Sequence, residues 1–182
     1  MAQFIAYDPN VKVIGALIQT VVDAIDIGKE RRLEILRKHG LGDVKPNEWY
    51  SQQKWLDVFK EISREIGDKT LYLIGKKVPS NAKLPPDINS LDKALYAIDM
   101  GYKMNHSGGE IGSYKVVSFD AAKRTAMLKV TAPYPSEFDR GIIMFFLTQF
   151  KPKDSYMYDV ILDTTQESRI SGADSCTYIV KW

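Results

Sequence analysis

The chain has 182 residues, of which 45% are hydrophobic and 26% charged, and its formal net charge is +2. These proportions are typical of a globular domain with a buried core, and the small net charge argues against nucleic-acid binding. The single cysteine, Cys176, excludes an intrachain disulfide and metal clusters built on paired cysteines. Because no apolar run is long enough for a membrane span and no signal peptide is recognisable, we expect a cytoplasmic protein.

The first half of the sequence predicts helices. Apolar residues recur three and four positions apart, which is the spacing of a helix with one buried face. Pro46-Asn47 is predicted to open the third helix, and Gly40 to end the second. The predicted helices cover residues 11–27, 29–39, 47–66 and 70–77. The loop 78–89 contains three prolines, so we expect no regular element to cross it.

The second half predicts strands on either side of a helix. Ser90 is expected to cap a fifth helix, in which Tyr102 lies on the apolar face. Alternating residues then predict a hairpin, and a further helix is followed by two closing strands. These elements cover 114–119, 125–131, 136–150, 156–164 and 177–182.

This order predicts an α+β fold, with N-terminal helices packed on a mostly antiparallel four-stranded sheet that contains one inserted helix. We expect a single domain over 1–182, with a helical part at 1–89 and a helix-plus-sheet part at 90–182.

The junction between the hairpin and the last helix carries the most information. Tyr134-Pro135-Ser136 ends the strand run, and Ser136 with Asp139 predicts a capping-box-like helix start. We expect Tyr134 and Ser136 to face the mouth of a pocket between sheet and helix. This corner resembles the Tyr-x-Ser-x-Arg corner of haem-nitric-oxide/oxygen-binding (H-NOX) domains, with Phe138 at the position of the family's arginine.

The order of elements is also similar to that of 4-vinyl-reductase-type domains and TRAPP subunits. The resemblance implies a ligand pocket between the two halves. In H-NOX proteins a helical histidine binds the haem iron, and the corner holds the haem propionates. His106 stands near the family's spacing from Tyr134, but it follows the helix. Aligning that helix with the family's places Ile98-Asp99-Met100 near the ligand position, where Asp99 would be a poor haem ligand. Phe138 lacks the anion clamp that an arginine would supply.

We find no catalytic motif in the sequence. The preferred hypothesis is a non-enzymatic, cofactor-free sensory domain that binds a small apolar or amphipathic molecule and acts on a downstream signalling protein. The residues expected to contact the ligand are Tyr134, Ser136, Phe138, Tyr102, Phe145 and Phe146. Core packing is the alternative for the phenylalanines.

Two other hypotheses remain open. One is a haem-dependent nitric oxide or oxygen sensor, in which His106 is the iron ligand. The other is a TRAPP-like interaction module that forms a homodimer, for which Trp49 and Tyr50 lie off the buried stripe of their predicted helix and supply the contacts.

Overall fold

Residues 3–182, the part of the chain that the computed structural model describes, form six α-helices and two antiparallel sheets. This confirms the predicted α+β class. The helices are α1 (Gly15–Asp23), α2 (Lys29–Lys38), α3 (Gln52–Glu65), α4 (Asp68–Lys77), α5 (Leu91–Met104) and α6 (Ser136–Phe150). The strands are β1 (Lys12–Ile14), β2 (Trp49–Ser51), β3 (His106–Ser107), β4 (Ser113–Asp120), β5 (Thr125–Thr131), β6 (Asp159–Leu162) and β7 (Cys176–Lys181).

The four-stranded sheet has the order β4-β5-β7-β6, and every neighbouring pair is antiparallel. Helix α6 lies between β5 and β6 in sequence, as predicted. The strand predicted at 156–164 is shorter than expected, because Tyr156 and Met157 are exposed and pairing with β7 begins only at Asp159.

A second, three-stranded sheet has the order β2-β1-β3 and was not predicted. The prediction of a helix from residue 11 is therefore wrong at its start, since Lys12–Ile14 forms β1. The prediction that Pro46-Asn47 opens a helix is also wrong. Residues Trp49–Ser51 pair with β1, and the Ser51 hydroxyl then caps α3 by accepting from the Lys54 amide. The 78–89 loop likewise contains one 3-10 turn, Val78–Ser80.

Helices α4 and α6 touch through their backbones at two glycines. A Cβ atom at Gly75 would collide with the Phe138 carbonyl oxygen, and one at Gly141 would collide with the Tyr72 carbonyl oxygen. Only glycine permits so close an approach. The contact brings Phe138 against Trp55 and Phe59 of α3, with ring centroids 6.0 and 4.8 Å apart. The aromatic centre of the core therefore joins both halves of the chain. Between residues 3 and 182, no helix is both long and apolar enough to cross a membrane.

Candidate ligand-binding site

The Tyr134–Ser136 corner is buried, and its local structure differs from the predicted capping box. Pro135 precedes the first residue of α6, and no side chain caps the helix. The capping-box prediction is wrong because Ser136 is already helical, and its backbone amide donates to Gln3 Oε1 at 2.9 Å. The Ser136 carbonyl oxygen accepts from the Tyr178 hydroxyl, also at 2.9 Å. The backbone amide and the carbonyl oxygen of Ser136 are therefore both hydrogen-bonded within the chain.

His106 is joined directly to Tyr134. Its Nδ1 lies 2.8 Å from the Tyr102 carbonyl oxygen, and its Nε2 lies 2.6 Å from the Tyr134 hydroxyl. A carbonyl only accepts, so Nδ1 carries the proton and Nε2 accepts from the tyrosine. Gln52 Nε2 completes the chain by donating to the Tyr134 oxygen at 3.2 Å. Burial lowers the pKa of His106 from 6.5 to about 4, so the ring is neutral at pH 7.

The small sheet explains how His106 reaches this position. β3 pairs with β1, and Val13 stands opposite both His106 and Tyr50. The histidine therefore lies in a paired strand, whereas the sequence places it in a loop after α5. The strand fixes the ring against Tyr102, with centroids 4.4 Å apart. Asp99, which the alignment of the helix places near the ligand position, has other partners: its carboxylate accepts from the Tyr114 amide at 2.9 Å and pairs with Lys103 at 2.6 Å.

A fully buried ion pair lies behind the corner. Arg169 donates to Asp139 and to the carbonyl oxygens of Ala132 and Tyr134, and the Tyr114 hydroxyl also donates to Asp139. Burial raises the pKa of Asp139, and the charge and hydrogen bond of Arg169 oppose that rise. Sequence reasoning missed Arg169, which lies in a polar loop with no periodic pattern. The pair ties this loop to the start of α6.

A cavity of about 40 Å³ lies beside the His106–Tyr134 hydrogen bond. It has room for roughly three water molecules. Its wall draws on both halves of the chain. The wall residues are Leu17, Trp55, Val78, Pro79, Ala82, Leu84, Ile98, Gly101, Tyr102, Asn105, His106, Tyr114, Tyr134, Phe138, Ile142 and Phe146. None of these described residues carries a charge at pH 7, because His106 is neutral, so the cavity suits an uncharged occupant.

The structure brings four of the six predicted contact residues together in this wall: Tyr102, Tyr134, Phe138 and Phe146. The other two lie outside it. Ser136 is buried against the N-terminal segment, and Phe145 is half-buried and packs on Phe146 with ring centroids 5.4 Å apart. Sequence reasoning did not find Trp55 or Asn105 as wall residues. The three- and four-residue spacing of apolar residues in the predicted helix 47–66, which includes Trp55, indicated only a buried helix face.

Other candidate groups are placed as follows. Cys176 is buried, and its Sγ accepts from the Arg169 amide at 3.4 Å. No group of three or more His, Cys, Asp or Glu side chains among residues 3–182 is placed to hold a metal ion. Trp49 lies on β2 at the edge of the small sheet and is 40% exposed, whereas the Tyr50 hydroxyl is bonded to the Lys45 amide and Glu48.

Comparison with known proteins gives a likeness in structure alone. No protein-family model matches the sequence, and no curated protein matches it. An H-NOX protein from S. oneidensis in its Fe(II) state superposes with a TM-score of 0.66 at 12% identity, over 92% of this chain and 95% of that one. The Cs H-NOX protein gives 0.64 at 16% identity, over 92% and 95% of the two chains.

A third solved structure is an oxygen-binding H-NOX domain related to soluble guanylate cyclases, in its oxygen complex. It superposes with a TM-score of 0.59 at 15% identity, over 92% of this chain and 91% of that one. At sequence identities this low, the comparison establishes the fold but no ligand and no functional residue. The chain therefore has an H-NOX-like fold, in agreement with the resemblance of its Tyr134–Ser136 corner.

Proposed function

We propose that this chain is a non-enzymatic sensory domain that binds a small uncharged molecule without haem and acts on a downstream protein. The observation that carries the proposal is the apolar cavity whose wall is shared by residues 1–89 and 90–182. A molecule in such a cavity contacts both halves at once. Its binding free energy therefore depends on their relative position, and occupancy biases that position. A partner protein that contacts both halves would then bind with an affinity that depends on their relative position.

The structural neighbours support a sensory role. The S. oneidensis H-NOX protein has been solved in an Fe(II)NO state, and another neighbour has been solved with oxygen bound. Those proteins hold small ligands within this fold. We carry over to this chain only the general property of binding a small molecule.

The residues present do not fit a haem. His106 Nε2 is the ring nitrogen that carries no proton, and its lone pair accepts a hydrogen bond from the Tyr134 hydroxyl at 2.6 Å. Coordination of iron by this histidine would require the same lone pair. The cavity of about 40 Å³ is far smaller than the pockets of roughly 300–1,000 Å³ that enclose larger ligands. The position of the family's arginine is Phe138, and the buried guanidinium of Arg169 is already paired with Asp139. For these reasons we propose haem-independent binding.

Haem titration of the purified 182-residue chain tests this part. We expect no stoichiometric complex with a Soret band, because iron coordination would require the His106–Tyr134 hydrogen bond to break. The matched controls are His106→Ala and His39→Ala, which remove the buried histidine and the partly exposed histidine in turn. A stable Soret complex in the wild type that His106→Ala abolishes and His39→Ala preserves would establish the haem-dependent sensor instead.

Xenon binding tests the cavity itself. Xenon enters apolar cavities in proteins, and amide chemical shifts map where it binds. We expect xenon-dependent shifts centred on the wall residues of α5 and α6. The control is Gly101→Ala, which adds a methyl group to the wall, 2.8 Å from the flexible end of Leu84, and which also favours the helix. Xenon shifts that are absent in the wild type, or that persist unchanged in Gly101→Ala, would count against a ligand site here.

The dimeric interaction module stays a separate hypothesis. The exposed Trp49 on the edge strand of the small sheet is the observation that favours it. Light scattering over a range of protein concentrations would detect a dimer, and Trp49→Ser would be expected to dissociate it. A monomer at all concentrations would exclude this mode of assembly.

A further inference from the structure

The side chain of Trp55 lies fully buried in the cavity wall, and its indole N–H has no hydrogen-bond partner among residues 3–182. Tyr134, Phe138 and Phe59 pack around the ring, with centroids 4.8–6.0 Å away, so the indole is held in place. A buried donor without an acceptor is unfavourable, and native proteins leave few of them. Gln52 Oε1 also lacks a partner, but Gln52 lies outside the cavity wall.

The remaining polar side chains of the wall already form hydrogen bonds with other protein groups. Asn105 donates to the carbonyl oxygens of Lys83 and Gly101, each at 2.7 Å, and accepts from the Lys83 amide at 3.0 Å. The wall residues bonded to other protein groups are Tyr102, Asn105, His106, Tyr114 and Tyr134. Among the described wall residues, the indole N–H of Trp55 is therefore the one side-chain donor that no other protein group accepts.

We propose that the ligand is a small neutral molecule with an apolar body and one acceptor atom, such as a ketone or aldehyde, whose oxygen accepts from Trp55 Nε1. This inference rests on the proposed ligand site and specifies its chemistry. The uncharged wall excludes ions, since a buried charge needs a partner of opposite sign. One free donor amid apolar side chains selects for a single acceptor, because each further polar group on the ligand would lose its hydrogen bonds to water.

Acetone and isobutene are the matched probes, because they have nearly the same shape and differ in the carbonyl oxygen. Their dissociation constants are measured by NMR with the wild type and with Trp55→Phe, which keeps an aromatic ring and removes the donor. We expect the substitution to lower the preference for acetone over isobutene by about 2- to 10-fold, the range for one hydrogen bond. Using this ratio cancels any change in cavity size that the smaller ring causes.

The wild type alone gives a second readout. The indole N–H resonance of Trp55, assigned by its loss in Trp55→Phe, is expected to move with acetone and to stay in place with isobutene. The indole resonances of Trp49 and Trp182 are internal controls. This readout also serves if Trp55→Phe folds poorly, since the resonance can then be assigned from a W49F/W182F protein.

The outcomes separate the two proposals. If neither acetone nor isobutene binds near the cavity wall, the proposal of a ligand site there is wrong. If both bind and Trp55→Phe leaves their ratio unchanged, or if acetone does not move the Trp55 resonance, the ligand site stands and the role of the indole donor is refuted.

Discussion

Replacing His106 by asparagine is expected to remove a large part of the acid sensitivity of the fold. His106 is buried, its Nδ1 donates to the Tyr102 carbonyl oxygen, and its Nε2 accepts from Tyr134. The cavity wall around the ring includes no charged side chain among the described residues. A proton added to Nε2 would therefore break the bond from Tyr134 and create an unpaired buried charge. Asparagine is polar and does not titrate, so it removes this penalty.

The structure gives the sign and size of the effect. Burial lowers the pKa of His106 from 6.5 to about 4 in the folded state. Between these values the unfolded chain binds a proton that the folded chain does not, so the free energy of unfolding falls as the pH falls. At about 1.4 kcal/mol per pH unit, the contribution of His106 amounts to about 3 kcal/mol. It is fully present above pH 6.5 and lost by about pH 4.

Urea unfolding at pH 7, 6, 5 and 4 measures this contribution. The wild type is expected to lose about 3 kcal/mol more than His106→Asn over this range, with most of the difference between pH 6 and pH 4. His39→Asn is the matched control and should keep the wild-type pH dependence attributed to His106. Equal pH profiles for the wild type and His106→Asn would refute the buried, neutral assignment of this ring.

Three further predictions concern the supports of the site. Asp139→Asn leaves the Arg169 charge buried without its counter-ion, so we expect a loss of about 3–5 kcal/mol in the free energy of unfolding, measured in urea; a loss under 1 kcal/mol would contradict it. Gly141→Ala forces apart the backbones of α4 and α6, so we expect a loss of at least about 1–3 kcal/mol; unchanged thermal stability would show that the helices yield. The hydrogen bond from Lys38 lowers the pKa of Glu61 to about 2, so Glu61→Gln should destabilise the protein at pH 7, and this difference should shrink as the pH falls from 4.5 towards 2; a difference independent of pH would contradict it.

The long periodic elements could be predicted from the sequence. Helix α6 begins and ends as predicted, and β5 covers the predicted Thr125–Thr131. These segments repeat their helical or alternating pattern several times, which averages out single exceptions. The strands of the small sheet have two or three residues each and show no repeat. They form because the packing of α1, α3 and α5 brings the adjoining strands β1, β2 and β3 together. This is a tertiary effect, which the local sequence pattern does not predict.

Four wall residues were predicted, Tyr134 and Phe138 from the corner and Tyr102 and Phe146 from the flanking helices, but the contacts among the site's polar groups were not. Tyr134 and His106 were singled out separately, one as a group that holds a ligand and the other as an iron ligand. Their hydrogen bond depends on the register of β3 against β1 and on the path of the chain after β5. Arg169 gave no signal because its role comes from the fold of a loop around Asp139. In each case the missing information was which distant segments meet.

A haem would need an imidazole for its iron and a cationic side chain for its propionates, and the buried groups of these two kinds are already bonded within the chain. The neutral imidazole of His106 is bonded to Tyr134, and the buried guanidinium of Arg169 is bonded to the carboxylate of Asp139. An anionic ligand at the corner would have to compete with that carboxylate, and a metal would have to displace the tyrosine hydroxyl. Both exchanges leave a buried polar group without its partner, which is unfavourable. An uncharged molecule in the adjoining cavity disturbs neither bond, which is why we favour ligands of that class.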